Sequence, residues 1–305
     1  MDAVYLRHPS VLRDPIMIMT FAGWNDAAES ATLAARYLVD RLGGERFAAI
    51  PPDDFFQFSD QRPTVRLDEK GERQISWPAN DFFVCRAGHL PRDFVVGVGV
   101  EPHLQWRRFS RSVLDIVNRC GVRLVVTMGA FLAGESHTEP VPVTCLATDP
   151  SLVRNLGMEL SRYEGPTGIV GVLHSLMQEE RLASVSLWAS VPHYIAALPN
   201  PKASFALLDR LRAVCRVPLD LGDLERSAAN FDRQVEEAIR EDPKLARYVS
   251  QMEGSESEEA EPEEEEEHSS GEAAEELPPG EQVADEIADE IEDFLRRRKN
   301  GSDKD

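Results

Sequence analysis

Short, continuous apolar runs recur along this chain, and stretches of 10 to 17 residues with helical apolar spacing separate them. Residues 15–21 form the first such run, as expected of a strand buried on both faces. Residues 26–42 follow, with Ala27, Ala31, Ala34, Leu38 and Leu42 at helical steps before Gly43 and Gly44 stop them. The pattern repeats with a strand over 94–100, a helix over 107–119 facing Phe109, Val113, Ile116 and Val117 inward, a stop at Gly121 and a strand over 122–128. Helices near 151–160 and over 168–180 and a strand over 184–191 continue it. Strands separated by helices predict an α/β fold whose mainly parallel sheet is covered on both faces.

Residues 63–86 have another texture. Polar and apolar residues alternate around Asp68, Glu69, Lys70 and Gly71, which predicts an antiparallel hairpin of 64–67 with 74–77, added at an edge or projecting from the sheet. Segments 207–214, 219–240 and 243–252 read as a helical appendage. Composition then changes abruptly: residues 253–281 are mostly Glu, Ser, Gly and Pro, a linker that cannot bury enough apolar surface to order itself. Beyond it, Val283, Ile287, Ile291, Phe294 and Leu295 share one helical face, and Arg296 to Lys299 close the last turn. An isolated helix of that length is marginal in water, so its apolar stripe calls for a partner. The linker spans about 30 Å as a flexible coil, and the body's radius of gyration is about 18 Å. Its own body and a neighbour's are both within reach.

The formal charge of -21 is concentrated in that extension. Residues 253–305 hold 22 acidic and 5 basic residues, leaving 32 and 28 for the rest, a body at -4. Such a body lacks the basic footprint of a nucleic-acid binder. The apolar stretch over 16–24 is far short of the roughly 20 residues a bilayer requires. The first eight residues have neither a basic nor an apolar signal region, which predicts a cytoplasmic protein. Cys85, Cys120, Cys145 and Cys215 stand tens of residues apart, as buried free thiols would, and offer no metal site. Arginine outnumbers lysine 28 to 5, a bias of G+C-rich genomes.

Chemistry in an α/β sheet gathers at the carboxyl ends of the strands. The first such loop carries Gly23 for a tight turn, then Trp24, Asn25 and Asp26, where Asn25 or Asp26 can cap the helix and free N–H groups can hold an anion. Glu101 follows the second strand; His137, Thr138 and Glu139 follow the third; Thr167 and Gly168 start a later helix. Together these ten residues are the candidate ligand pocket. No phosphate-loop, dinucleotide, nucleophile-elbow or zinc-protease motif is complete, so no catalytic residue, cofactor or metal is predicted.

The segment F-x-G-W-N-D-A over 21–27, the hairpin entry at Pro63, Thr64 and Val65, the turn over 165–169, and the run from Ser190 to Tyr194 followed by P-N-P-K-A over 199–203 resemble the proteasome assembly chaperone 2 family in its bacterial form. The resemblance covers approximately residues 3–250. It implies a three-layer α/β/α domain similar to purine nucleoside phosphorylases, usually a homo-oligomer, with a trimer as the expected form here, and with no established catalytic residues. Eukaryotic and archaeal relatives help assemble or bind the proteasome core. Some archaeal ones dock through a C-terminal hydrophobic-Tyr-any motif; this chain ends Gly301, Ser302, Asp303, Lys304, Asp305, which points away from that mode.

The expected organisation is an α/β/α domain over 1–215, a helical appendage over 216–252, the acidic linker over 253–281 and an amphipathic helix over 282–299. The expected role is a non-enzymatic, homo-oligomeric interaction protein whose partner, beyond itself, is an unidentified protein of proteasome-related kind. The alternative is a nucleoside- or phosphate-binding protein or enzyme using the phosphorylase-like pocket.

Overall fold

A computed structural model describes residues 3–249 apart from 8–10, 155, 197–198, 242, 244–245 and 248. The linker and the terminal helix expected over 253–299, and most of the helix expected over 243–252, lie outside the described residues. Among the described residues, ten strands and five α-helices follow in order: β1 Val4–Tyr5, β2 Ile16–Ala22, α1 Ser30–Arg41, β3 Glu45–Ile50, β4 Thr64–Leu67, β5 Arg73–Ser76, β6 Asn80–Cys85, β7 Phe94–Val100, α2 Trp106–Cys120, β8 Leu124–Ala133, β9 Val143–Ala147, α3 Ile169–Glu179, β10 Ala183–Pro192, α4 Pro201–Cys215 and α5 Gly222–Glu241.

Eight strands form one sheet in the order β1-β3-β6-β7-β2-β8-β10-β9. Its centre, β7-β2-β8-β10, is parallel, and β1, β3, β6 and β9 flank it with antiparallel pairings. The sheet is therefore mixed, with its parallel part confined to the middle. That centre holds the strands that read as unbroken apolar runs, because they are buried on both faces.

The pleat sends alternate residues to two cores. On one face Ile16, Ile18, Phe94, Val96, Val126 and Met128 meet the layer of α1 and α4, on which α5 packs. On the other, Met17, Met19, Phe21, Val95 and Val125 meet α2 and α3. Helix α1 turns Ala31, Ala34, Ala35 and Leu38 to the sheet, small residues that let it lie close. Leu207, Leu208 and Leu211 of α4 and Leu224, Phe231 and Val235 of α5 belong to that same core.

Several local expectations change. No α-helix occupies 151–160 among the described residues: a 3-10 turn at Pro150–Leu152 gives way to irregular chain, and Leu160 bridges to Cys145. Val153 is the fully buried apolar side chain there and Gly157 has a φ of 65°, so the segment lacks both a stripe to bury and an uninterrupted helical backbone. The first helix starts at Ser30 rather than Asp26, because Ala28 and Glu29 are left-handed, with φ of 52° and 47°. The hairpin β4–β5 is a two-stranded sheet of its own, with Val65 opposite Ile75 and Thr64 opposite Ser76. The last part of the alternating stretch over 63–86, β6, joins the main sheet between β3 and β7. Among the described residues no helix is long and apolar enough to cross a membrane.

Candidate functional site

The β2–α1 loop lies at the carboxyl end of the parallel strands, and its residues are committed to structure in two directions. Gly23 has a φ of 116°, a conformation open to glycine but not to residues with a Cβ, and its carbonyl accepts a bond from the Asp26 N–H at 3.0 Å. Trp24 is left exposed at the tip. Asn25 is fully buried: its carbonyl accepts from the Ala130 N–H at 2.9 Å, and its Nδ2 donates to Glu101 Oε1 at 2.6 Å. That same Glu101 oxygen accepts from the Ile169 N–H, in the first turn of α3, at 2.7 Å. Gly168 makes the approach possible, since a Cβ there would stand 2.3 Å from Asn25 Oδ1 and 2.7 Å from Glu101 Oε1.

Asp26 turns to the opposite face and takes the capping role. Its carboxylate accepts from the Ala31 N–H at 2.6 Å and from the Thr32 hydroxyl at 2.6 Å, so it caps α1 from beyond the two left-handed residues. Burial raises its pKa above the ordinary carboxylate value, while the bonds from Thr32 and Ala31 act the other way.

His137 sits apart from Asn25, buried against Tyr194. Its backbone N–H donates to the Tyr194 hydroxyl at 2.8 Å, its Nδ1 lies 2.9 Å from the same oxygen, and its carbonyl accepts from Lys202 Nζ. Thr138 and Glu139 are exposed and bond within their own loop, to Ser136. Thr167 is exposed in the turn before α3. Thus Asn25, Glu101 and Gly168 touch one another, Gly23 and Trp24 flank them, and Asp26 and His137 serve other contacts. Among the described residues no cluster of His, Cys, Asp and Glu is placed to hold a metal.

Two residues without an assigned role prove central. Asn200 caps α4, accepting from the Lys202 and Ala203 N–H groups at 3.0 Å each, with Pro201 at the first helical position. Its own N–H donates to the Ala28 carbonyl at 2.9 Å, and the Ser204 hydroxyl reaches the Ser30 carbonyl at 2.6 Å. Lys202 ties the loop of His137 to Asp232 of α5, 3.2 Å away. An Asn-Pro pair ahead of an apolar stripe is a helix-start signal visible in the sequence; its tie to the first loop is not.

A family model, the PAC2 family, matches residues 20–239. The chain belongs to the PAC2 family. A PAC2 family protein from Streptomyces avermitilis is 42% identical, with 77% of this chain and 100% of that one covered and a TM-score of 0.71. A proteasome-assembly chaperone homologue from Mycobacterium tuberculosis is 38% identical, with 77% and 99% covered and a TM-score of 0.70. An archaeal proteasome activator from Pyrococcus furiosus, at 19% identity, shares the fold, with 77% and 97% covered and a TM-score of 0.60. No curated protein matches the chain. In this PAC2 chain the two segments that carry the sequence resemblance, 21–27 and 199–203, are joined through the turn at Ala28, to which Asn200 bonds.

Proposed function

We propose that this chain is a cytoplasmic, homo-oligomeric interaction protein of the proteasome-assembly-chaperone kind, with a proteasome-related protein as its partner class. Its α/β/α body over 1–215 would carry the helical appendage over 216–252, the linker over 253–281 and the amphipathic segment over 282–299. The observation that carries this reading is the hairpin. Val65, Leu67 and Ile75 share one face of the paired strands, each more than half exposed with Leu67 at 67%, Arg73 stands on the same face opposite Leu67, and Trp77, half exposed just beyond β5, packs edge-on against Phe58. The opposite face carries Thr64, Arg66, Gln74 and Ser76. An apolar cluster of this kind turned to water marks a contact between proteins, and a second copy of the chain is the partner this reading assigns to it. The Mycobacterium relative, a proteasome-assembly chaperone homologue, agrees in kind.

The nucleoside or phosphate reading rests on the likeness to phosphorylases implied by the sequence resemblance, and one contact weighs against it. The N–H of Ile169, which a phosphate at the start of α3 would need, already bonds to the Glu101 carboxylate, a fixed negative charge. Light scattering on the full-length chain tests the proposal: an oligomer at micromolar concentration is expected, and a monomer would contradict it.

A further inference from the structure

At the end of the sheet opposite Asn25, the last turns of α1, the turn after β6 and the chain that joins α4 to α5 enclose a cleft of about 260 Å³. Its floor is apolar: Leu38, Leu219 and Leu221 line it and are buried. Its rim is polar and carries both signs of charge, with Arg41, His89 and Asp220 beside the Tyr37 hydroxyl. Arg41 Nη2 donates to Asp220 Oδ2 at 2.5 Å, and Nη1 lies 3.2 Å from Asp223 Oδ2. The Tyr37 hydroxyl donates to the Asp220 carbonyl at 3.2 Å, and Asp220 Oδ1 accepts from the Gly222 N–H at 3.2 Å. The backbone of that wall is thus pinned to α1, while the paired side chains stay open to water, at 44% for Arg41 and 69% for Asp220. An ion pair so exposed is weak, and either member exchanges it for a ligand group of opposite charge at little cost.

We infer that this cleft binds a free amino acid with an aliphatic side chain. Its volume of about 260 Å³ falls below the roughly 300–1,000 Å³ of clefts that take drug-sized molecules, which limits the ligand to a metabolite of amino-acid size. The leucine floor takes the aliphatic side chain and removes its surface from water. The rim decides between charged classes. A simple anion, phosphate included, would compete for a guanidinium already shared by Asp220 and Asp223, with both carboxylates left beside it. A simple cation would face Arg41. A carboxylate and an ammonium on one carbon satisfy both members of the Arg41–Asp220 pair together: the ligand carboxylate takes the guanidinium, with His89 on the same rim, and its ammonium takes the Asp220 carboxylate. The end residue of a peptide carries one of these two charges, so the free amino acid is the match. None of these residues belongs to the hairpin or to the Asn25–Glu101 lock, and the inference goes beyond the interaction-protein reading without resting on it.

Titration calorimetry of L-leucine into the full-length chain tests the inference. Binding in the micromolar to millimolar range is expected. Glycine, leucinamide and N-acetylleucine lack in turn the side chain, the carboxylate and the ammonium, and each should bind at least about tenfold more weakly. Arg41→Gln and Asp220→Asn alter exposed side chains, so the circular dichroism spectrum should stay unchanged while the affinity for leucine falls by about tenfold or more. Absence of heat together with absence of a leucine signal in saturation-transfer NMR overturns the inference, as does glycine binding as tightly as leucine, or an affinity that Arg41→Gln leaves unchanged. Leucinamide or N-acetylleucine matching leucine also overturns it and would reassign the cleft to a peptide terminus. Light scattering reads the oligomer separately, and its outcome leaves these titrations unchanged.

Discussion

Asn25 and Glu101, 76 positions apart, are locked side chain to side chain at 2.6 Å, with Asn25 fully buried and the Glu101 carboxylate also holding the first turn of α3. The carboxyl end of the sheet is thereby fastened from within. Gly168→Ala drives a methyl group to 2.3 Å from Asn25 Oδ1, and such overpacking costs about 1–3 kcal/mol. Urea denaturation checks this: the midpoint is expected to fall with the slope unchanged, and an unchanged midpoint would mean that α3 is not fixed by this contact.

The same lock bears on ligands. Because the Glu101 carboxylate occupies the N–H of Ile169, the melting temperature is expected to stay constant across a panel of nucleosides and inorganic phosphate. A rise in melting temperature that Asn25→Ala abolishes would favour the ligand reading instead.

Two buried carboxylates should respond to pH with opposite signs. Asp26 has a folded pKa above its ordinary 3.8, chiefly through burial, so the folded state binds the proton more tightly and stability from this group falls as pH rises from 3.8 through the raised value. The wild type should therefore lose ground to Asp26→Asn as pH rises through that window. For Asp93, burial acts upward, but bonds from the Arg13 guanidinium, 2.7 Å away, and from its backbone N–H outweigh it and leave the pKa below 3.8. Its contribution is present above the ordinary value and is lost as pH falls toward the depressed one. Wild type and Asp93→Asn should converge in acid. Urea titrations at stepped pH values read both differences; parallel curves would refute the assignments.

The four thiols should be inert in the native protein. All are buried, and burial pushes Cys85 and Cys215 up to about 12 and Cys120 up to about 11, with Cys145 raised by the same cause. At neutral pH almost no thiolate is present to react. A disulfide reagent should label none in the native state and all four after denaturation. Rapid native labelling would show that one of these cores opens.

The central strands and the helices at Trp106–Cys120 and Ile169–Glu179 were legible in the sequence because burial on both faces and one-sided helical stripes leave unambiguous apolar spacing. The flanking strands were not. In β3, Glu45 and Arg46 are exposed and only part of the strand is buried, while β1 is two residues long, so neither leaves a usable period. The loop at Gly23 to Asp26 was visible as a tight turn and a cap. Its division, with Asn25 facing α3 and Asp26 facing α1, depends on contacts 76 positions away on one side and 5 or 6 on the other, and local pattern reports only the second kind. The role of Asn200 was hidden for the same reason, since its partner Ala28 is remote in sequence.

The account stands or falls on the hairpin. Light scattering coupled to size-exclusion chromatography, on the full-length chain and on Leu67→Glu with Ile75→Glu, reads it directly. Both side chains are exposed on a two-stranded sheet, so the substitutions should leave the circular dichroism spectrum unchanged. The account predicts an oligomer for the wild type and a monomer for the double variant. A wild type that is monomeric at micromolar concentration, or a variant that keeps the oligomer intact, would contradict it.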